Sequence, residues 1–196
     1  MKLVISAVCA IAMLFLVAGN GYSDDKEHKN YKFSTQLSGF NEVHFSAGPP
    51  ATLRGAVSSA AKGSFKATLD KTTNIIGYEL NYEGLEGDIT QSHIHFGQHH
   101  TVGGIVIWLC QTTGTPAPAA VAASTPFCPG LRSGKVLGTI TPSQVLAQTA
   151  QGIDAGEFDE ILRALRAGAT YANVHSTLFP PGEIRGQIKG AGGDRD

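Results

Sequence analysis

GSFKATLDKTTNIIGYELNYEG, residues 63–84, carries the pattern on which the fold turns. In GSFKATLD, Phe65, Ala67 and Leu69 alternate with Lys66, Thr68 and Asp70. After TTN, GYELNYEG sets Tyr78, Leu80 and Tyr82 against Glu79, Asn81 and Glu83. Successive side chains of a strand point to opposite faces, so each run has one apolar face for a core and one polar face for water. Asn74 in TTN marks a turn between them.

The same period recurs outward. Phe33, Thr35 and Leu37 share a face in YKFSTQL, and KVLGTI and TYANVHS follow the pattern. In GEIRGQIKG, Ile184, Gly186 and Ile188 oppose Glu183, Arg185, Gln187 and Lys189. GGIVIWLC is continuously apolar, which predicts a strand covered on both faces. Gly84, Gly87, Gly103-Gly104 and Pro180-Pro181-Gly182 separate the runs. Short strands at such spacing predict an all-β domain, an antiparallel sandwich or barrel.

Two stretches break the pattern. Residues 111–130, QTTGTPAPAAVAASTPFCPG, have no period and read as a long inserted loop. Residues 142–167 read as a short helical excursion. Thr141 caps and Gln144 answers in TPSQ; Asp154 caps and Glu157 answers in the next segment. Phe158, Ile161, Leu162 and Leu165 form one stripe there before Gly168 stops the helix.

The chain opens MKLVISAVCAIAMLFLVAGNGYS, one lysine followed by an apolar run from Leu3 to Ala18 and then small residues. That is the form of a secretory signal peptide. Cleavage after Gly19 or Ser23 fits, with Ser23 preferred. The alternative is an uncleaved anchor, but the run falls short of the roughly 20 residues that span a bilayer. Cys9 lacks the preceding small-residue context of a lipoprotein signal. The expected organisation is a leader over 1–23, a mobile tail over 24–30 in which Asp24, Asp25 and His28 are solvated, a β domain over 31–190 and a second mobile tail over 191–196.

Loss of Lys2 with the leader leaves 14 basic against 16 acidic residues, a formal charge of −2. No basic stretch offers nucleic acid or an anionic membrane surface a reason to bind. Export places the protein outside the cytoplasm, secreted or periplasmic, where an even pair of cysteines, Cys110 and Cys128, suggests a disulfide. Two free thiols or a metal pair is the other reading.

SHIHFGQHH, residues 92–100, holds four of the seven histidines. Alternation puts His93 and His95 on one face, with Ile94 and Phe96 toward the core. Residues two apart on a strand lie roughly 6.5–7 Å from each other, so two imidazoles can converge on copper or zinc. In TYANVHS, Tyr171, Asn173 and His175 share a face while Ala172 and Val174 point inward. If that strand neighbours SHIHF, three histidines meet. His99 and His100, just past the strand end, would complete or gate the site. The structural alternative is that the histidines only hydrogen-bond across the sheet. Glu183 and Arg185 carry two readings as well. They are an exposed ion pair worth ~0–1 kcal/mol, or they support the histidine face through a carboxylate that fixes an imidazole tautomer. No nucleophile elbow, phosphate loop or catalytic carboxylate pair stands out.

The succession FSTQLSGFNEV, GSFKATL, GYELNYEGL, SHIHFG, GGIVIWL, GTITPSQV, TYANVHS and PPGEIRGQI resembles the CHRD domain, named for the repeats of chordin, from about Phe33 to Ile188. The sharpest matches are HIH with its glycine, NVHS and GEIRGQI. The resemblance implies an extracellular all-β module with a Greek-key or immunoglobulin-like fold, common in secreted bacterial proteins. No ligand transfers from the name. Two departures stand out: His44 follows Val43 where a proline is usual, and the insertion between the cysteines is long. HIH also looks like the paired copper ligands of copper/zinc superoxide dismutases, which places His93 and His95 in that role. The other zinc and arginine features of that enzyme have no counterpart that can be assigned.

The leading expectation is therefore an exported binding or interaction module without catalysis of its own. Its ligand is unassigned, its partner a protein or an envelope or matrix component, and the histidine face its contact or metal surface. The competing expectation is a copper- or zinc-dependent redox enzyme. A carbohydrate binder, using exposed Tyr, Asn and His residues, is the third.

Overall fold

The computed structural model describes residues 31–43, 45–46, 52–53 and 55–191. Among these the strands are β1 (Tyr31–Ser38), β2 (Phe45–Ser46), β3 (Thr52–Leu53), β4 (Lys62–Asp70), β5 (Ile75–Glu83), β6 (Ile89–Phe96), β7 (Gly104–Cys110), β8 (Gly134–Ile140), β9 (Thr170–Ser176), β10 (Ile184–Gln187) and β11 (Lys189–Ala191). The helices are α1 (Ala119–Ala122) and α2 (Phe158–Arg166). The leader, its cut, the 24–30 tail and His44 lie outside the described residues.

β4 and β5 pair antiparallel with Phe65 opposite Leu80 and Ala67 opposite Tyr78. Their apolar faces are buried, while Lys66 and Asp70 are exposed. Cross-strand pairs of this kind are the unit of sheet stability. β2 and β3 form a separate two-stranded ribbon. The other nine strands make one antiparallel sheet in the order β7-β6-β9-β10-β1-β4-β5-β8, with β11 beside β1. Of the two expected forms, the barrel is the one observed: the sheet curls until β7 and β8 lie in contact.

Side chains and loops bridge that seam in place of a strand ladder. The buried Tyr78 hydroxyl donates to Leu109 O at 2.7 Å, and Leu146 N donates to Val106 O at 2.9 Å. Burial pushes the Tyr78 pKa up, so the phenol stays a donor. β7 is covered on both faces, as its composition requires. Val106, Ile107 and Leu109 enter the main core. Trp108 packs outside it with Ala117 and Val121 of the inserted loop.

That loop is tied at its ends by the Cys110–Cys128 disulfide and is ordered within. Gln111 donates from Nε2 to Ala122 O and Thr125 O, and its Oε1 accepts from Ala117 N. The loop also contains α1, a turn of helix that its lack of period conceals.

The helical excursion needs correction. Gln144 does reach back to Thr141 N, at 3.0 Å, but only a 3-10 turn (Pro142–Gln144) follows, with another at Thr149–Gln151. Val145 then drops into the core and Leu146 joins the seam, so tertiary pairing overrides the local helix signal. α2 forms with its four apolar residues buried. Its cap is Glu157 rather than Asp154, although Glu157 still accepts from Asp154 N at 2.7 Å. Gly168, at φ +66°, ends the segment in a conformation suited to glycine. Ala191, assigned to the second tail, pairs with Lys32 in β11; residues 192–196 lie outside the described residues.

Reducing the disulfide, or replacing both cysteines by serine, is expected to lower stability by about 3 kcal/mol. Thermal unfolding of the oxidised and reduced chains measures it; equal midpoints would mean that the loop holds its place by packing alone.

Candidate metal centre

β9 lies between β6 and β10, which brings the two histidine segments together across one ladder. His93 stands opposite Asn173 and His95 opposite Tyr171. On the far side, Arg185 stands opposite Asn173 and Gln187 opposite Tyr171. On the near side His93 faces Trp108 and His95 faces Ile105, with register shifts between Ser92 and His93 and between Ile94 and His95. Each shift gives β7 one extra residue, a bulge that re-aims side chains. Ile94, Ala172, Val174 and Ile184 all point into the main core. The polar row therefore occupies the outer face of the sheet.

That face is not open. His93, His95 and His175 are 0%, 7% and 6% exposed, and Tyr171, Asn173, Glu183 and Arg185 are buried beside them. A contact surface of exposed Tyr, Asn and His residues is thus not what these side chains form. Part of the cover is the loop of residues 97–103. Arg185 donates from Nη1 to Thr101 O at 2.7 Å and from Nη2 to Gln98 O at 3.1 Å. Its guanidinium lies 3.3 Å over the Tyr171 ring, and that ring stacks on His95 at 4.7 Å.

One ring nitrogen from each of His93, His95 and His175 lies within 4.8 Å of the others. A tetrahedral zinc with nitrogens at ~2.0–2.1 Å separates them by about 3.4 Å. The His93 Nδ1 to His175 Nε2 distance, 3.2 Å, is already of that size.

Hydrogen bonding decides which nitrogens carry lone pairs. A carbonyl only accepts, so His95 Nδ1–H donates to Gly103 O at 2.9 Å and His175 Nδ1–H donates to Pro180 O at 2.8 Å. In each neutral ring the lone pair then falls on Nε2. His95 Nε2 and His93 Nε2 are buried with no partner among the described residues. His175 Nε2 faces Asn173 Oδ1 at 3.1 Å, acceptor toward acceptor. Burial holds all three rings neutral: His93 well below its ordinary value, His95 down to about 4 and His175 also lowered. Within the set, His175 and His95 push His93 further down, while the carbonyl bonds at Gly103 and Pro180 work the other way for their own rings. His93 Nδ1–H therefore donates to His175 Nε2, and its proton must move to His93 Nε2 before both facing nitrogens can bind one ion. Neutral imidazoles so grouped suit copper or zinc.

His99 and His100 do not join this group; they are exposed at the tip of the covering loop, their rings 3.9 Å apart. Glu183 and Arg185 are not an exposed ion pair, because both are buried. Nor does the Glu183 carboxylate orient an imidazole. Its Oε1 accepts from Ser59 Oγ and Glu86 N, each at 2.8 Å. The carboxylate that does stand near the histidine face is one the sequence pattern missed, Glu42. Burial raises its pKa to about 7 against the Val43 N–H bond, the Arg185 charge and the Asn173 amide. Gly182 lets it in: at φ +137°, a side chain there would strike the Glu42 carboxylate and come within 3.1 Å of Asn173 Nδ2. Trp108, whose ring lies 4.3 Å from His93, was likewise not singled out. Gly103 and Pro180 act through their carbonyls, which leave no trace in residue type.

The CHRD domain pattern matches residues 33–188. No curated protein and no solved structure matches the chain.

The depressed histidines make the unfolded chain the stronger proton binder between about pH 4 and the ordinary value of 6.5. Their stabilising contribution is full above 6.5 and drains as pH falls through the folded values. Glu42 runs oppositely: raised from 4.5 to about 7, it stabilises below 4.5 and loses this as pH rises through 7. The melting temperature of the metal-free protein is expected to fall by several degrees from pH 7 to pH 4. The fall should be steeper in E42Q, where the opposing contribution is gone. A flat profile in both would show that the rings are not held neutral.

Proposed function

The chain belongs to the CHRD family, and on that premise we propose that it is an exported CHRD-domain binding module that holds one copper or zinc ion on His93, His95 and His175. The observation that carries this reading is the pair of carbonyl bonds at Gly103 and Pro180, which commits the Nδ1 protons of His95 and His175 and puts their lone pairs on Nε2, that of His175 facing His93 Nδ1 at 3.2 Å. Metal-binding histidines commonly have their second nitrogen held in this way, which fixes ring orientation and tautomer. Both nitrogens of His175 have partners, but His95 Nε2 and His93 Nε2 have none among the described residues, and a buried polar atom left so costs about 1–3 kcal/mol.

Extracytoplasmic location is supported by the disulfide, which persists in oxidising compartments. Among the described residues no helix is long and apolar enough to cross a membrane. With the histidine face covered, a protein or envelope partner would meet some other surface, and the ion would serve the module's stability or its state rather than bridge to the partner.

Incubation of the mature protein with one equivalent of copper(II) or zinc(II), followed by desalting and metal analysis, tests the centre. Near-stoichiometric retention is expected. Trp108, the chain's single tryptophan, should lose fluorescence as copper(II) enters. His93→Gln and His175→Gln should each weaken retention at least tenfold while keeping the circular dichroism of the parent. No retention by the parent overturns the reading.

A further inference from the structure

An ion bound among three covered imidazoles needs a way in, and residues 97–103 combine cover and ligands in one loop. Its anchors run to the histidine face or its neighbours. Gly97 N donates to Ala169 O, and Gln187 Nε2 donates to Gly97 O, each at 2.9 Å. Arg185 holds the Gln98 and Thr101 carbonyls, and Gly103 N donates to the Tyr171 hydroxyl at 3.2 Å while its carbonyl accepts from His95. At its tip His99 and His100 are exposed, with rings nearly perpendicular at 84°.

Their arrangement is not that of a relaxed turn. His100 adopts φ +64°, the left-handed region that residues with a Cβ avoid. Strain of this kind concentrates where the surroundings hold a residue for a purpose. Here it accompanies the close approach of two imidazoles on adjacent residues.

We propose that His99 and His100 form a second, solvent-facing metal site that captures a copper or zinc ion and passes it to the buried triad. This inference rests on the metal-centre reading above. The gradient follows from the donor sets. Two exposed imidazoles, with water completing the coordination, bind loosely and exchange quickly. Three rings held in a dry setting, two with tautomers already chosen, bind more tightly. The ion therefore moves from tip to interior. Release of the Arg185 bonds to the Gln98 and Thr101 carbonyls frees the tip of the loop, while Gly97 and Gly103, packed against one another where a Cβ would clash, keep its ends in place.

Stopped-flow mixing with copper(II) chloride, read by Trp108 fluorescence, tests the transfer. The H99A/H100A variant should load at least tenfold more slowly than the parent and reach the same end-point. A control at the far side of the sheet, K66A, should load as the parent does. Equal rates for parent and H99A/H100A overturn the capture role and leave the triad standing. A second arm isolates the exposed pair: H93Q/H175Q should bind one copper(II) weakly, and adding H99A/H100A should abolish it. Unchanged weak binding in that fourfold variant overturns the site. A parent that retains no ion at the triad overturns both the centre and the transfer, whatever the exposed pair binds.

Discussion

Two backbone carbonyls, Gly103 O and Pro180 O, set what the histidine face can do chemically. Each takes an Nδ1–H from a buried imidazole, and a neutral ring with its proton committed on one side must present a lone pair on the other. The rings cannot escape by protonating, since burial disfavours the charged form. They cannot turn to water either, because the 97–103 loop is held over them by Arg185. What remains is a bare Nε2 on His95 beside a His93 Nδ1 to His175 Nε2 contact of 3.2 Å.

The fold supports this arrangement by keeping two unlike interiors on opposite sides of the β6–β9–β10 ladder. Inside the barrel, Ile94, Ala172, Val174 and Ile184 pack in an apolar core. Outside, His93, His95, Tyr171, Asn173, His175 and Arg185 carry polar groups and yet are buried. Such a layer is costly unless its groups are partnered. Arg185 finds two carbonyls and an aromatic ring; Glu183 finds Ser59 and the Glu86 amide. Among the described residues the Nε2 atoms of His93 and His95 have no partner, and neither do Glu42 Oε2, Glu183 Oε2 and Gln187 Oε1. Gly182 and the β7 bulges are the backbone devices that make room for Glu42 and aim β7 side chains.

Strand content was legible in the sequence because a barrel strand with one wet face alternates, as residues 63–84 do. The 145–152 segment was not legible. Its capping signal is real, but Val145 and Leu146 are drawn to the core and the β7–β8 seam, and pairing distant in sequence leaves no local mark. The faces of His93, His95, Tyr171, Asn173 and His175 followed from period two alone. Their meeting did not, since β6 and β9 are neighbours by topology across some 80 intervening residues. Burial of the whole face was hidden for a further reason. A strand whose outer side is covered by its own loop has the same polar spacing as one facing solvent. Glu42 was invisible because it sits beyond β1 in no regular pattern.

The most direct test concerns the tautomers themselves. Long-range nitrogen–proton correlation spectra of the metal-free, nitrogen-15-labelled protein at pH 7 distinguish a protonated Nδ1 from a protonated Nε2 in each ring. The account predicts that His95 and His175 both carry the proton on Nδ1 and keep Nε2 bare, with no sign of a charged ring. Protonated Nε2 on either residue, or an imidazolium among the three, would contradict it.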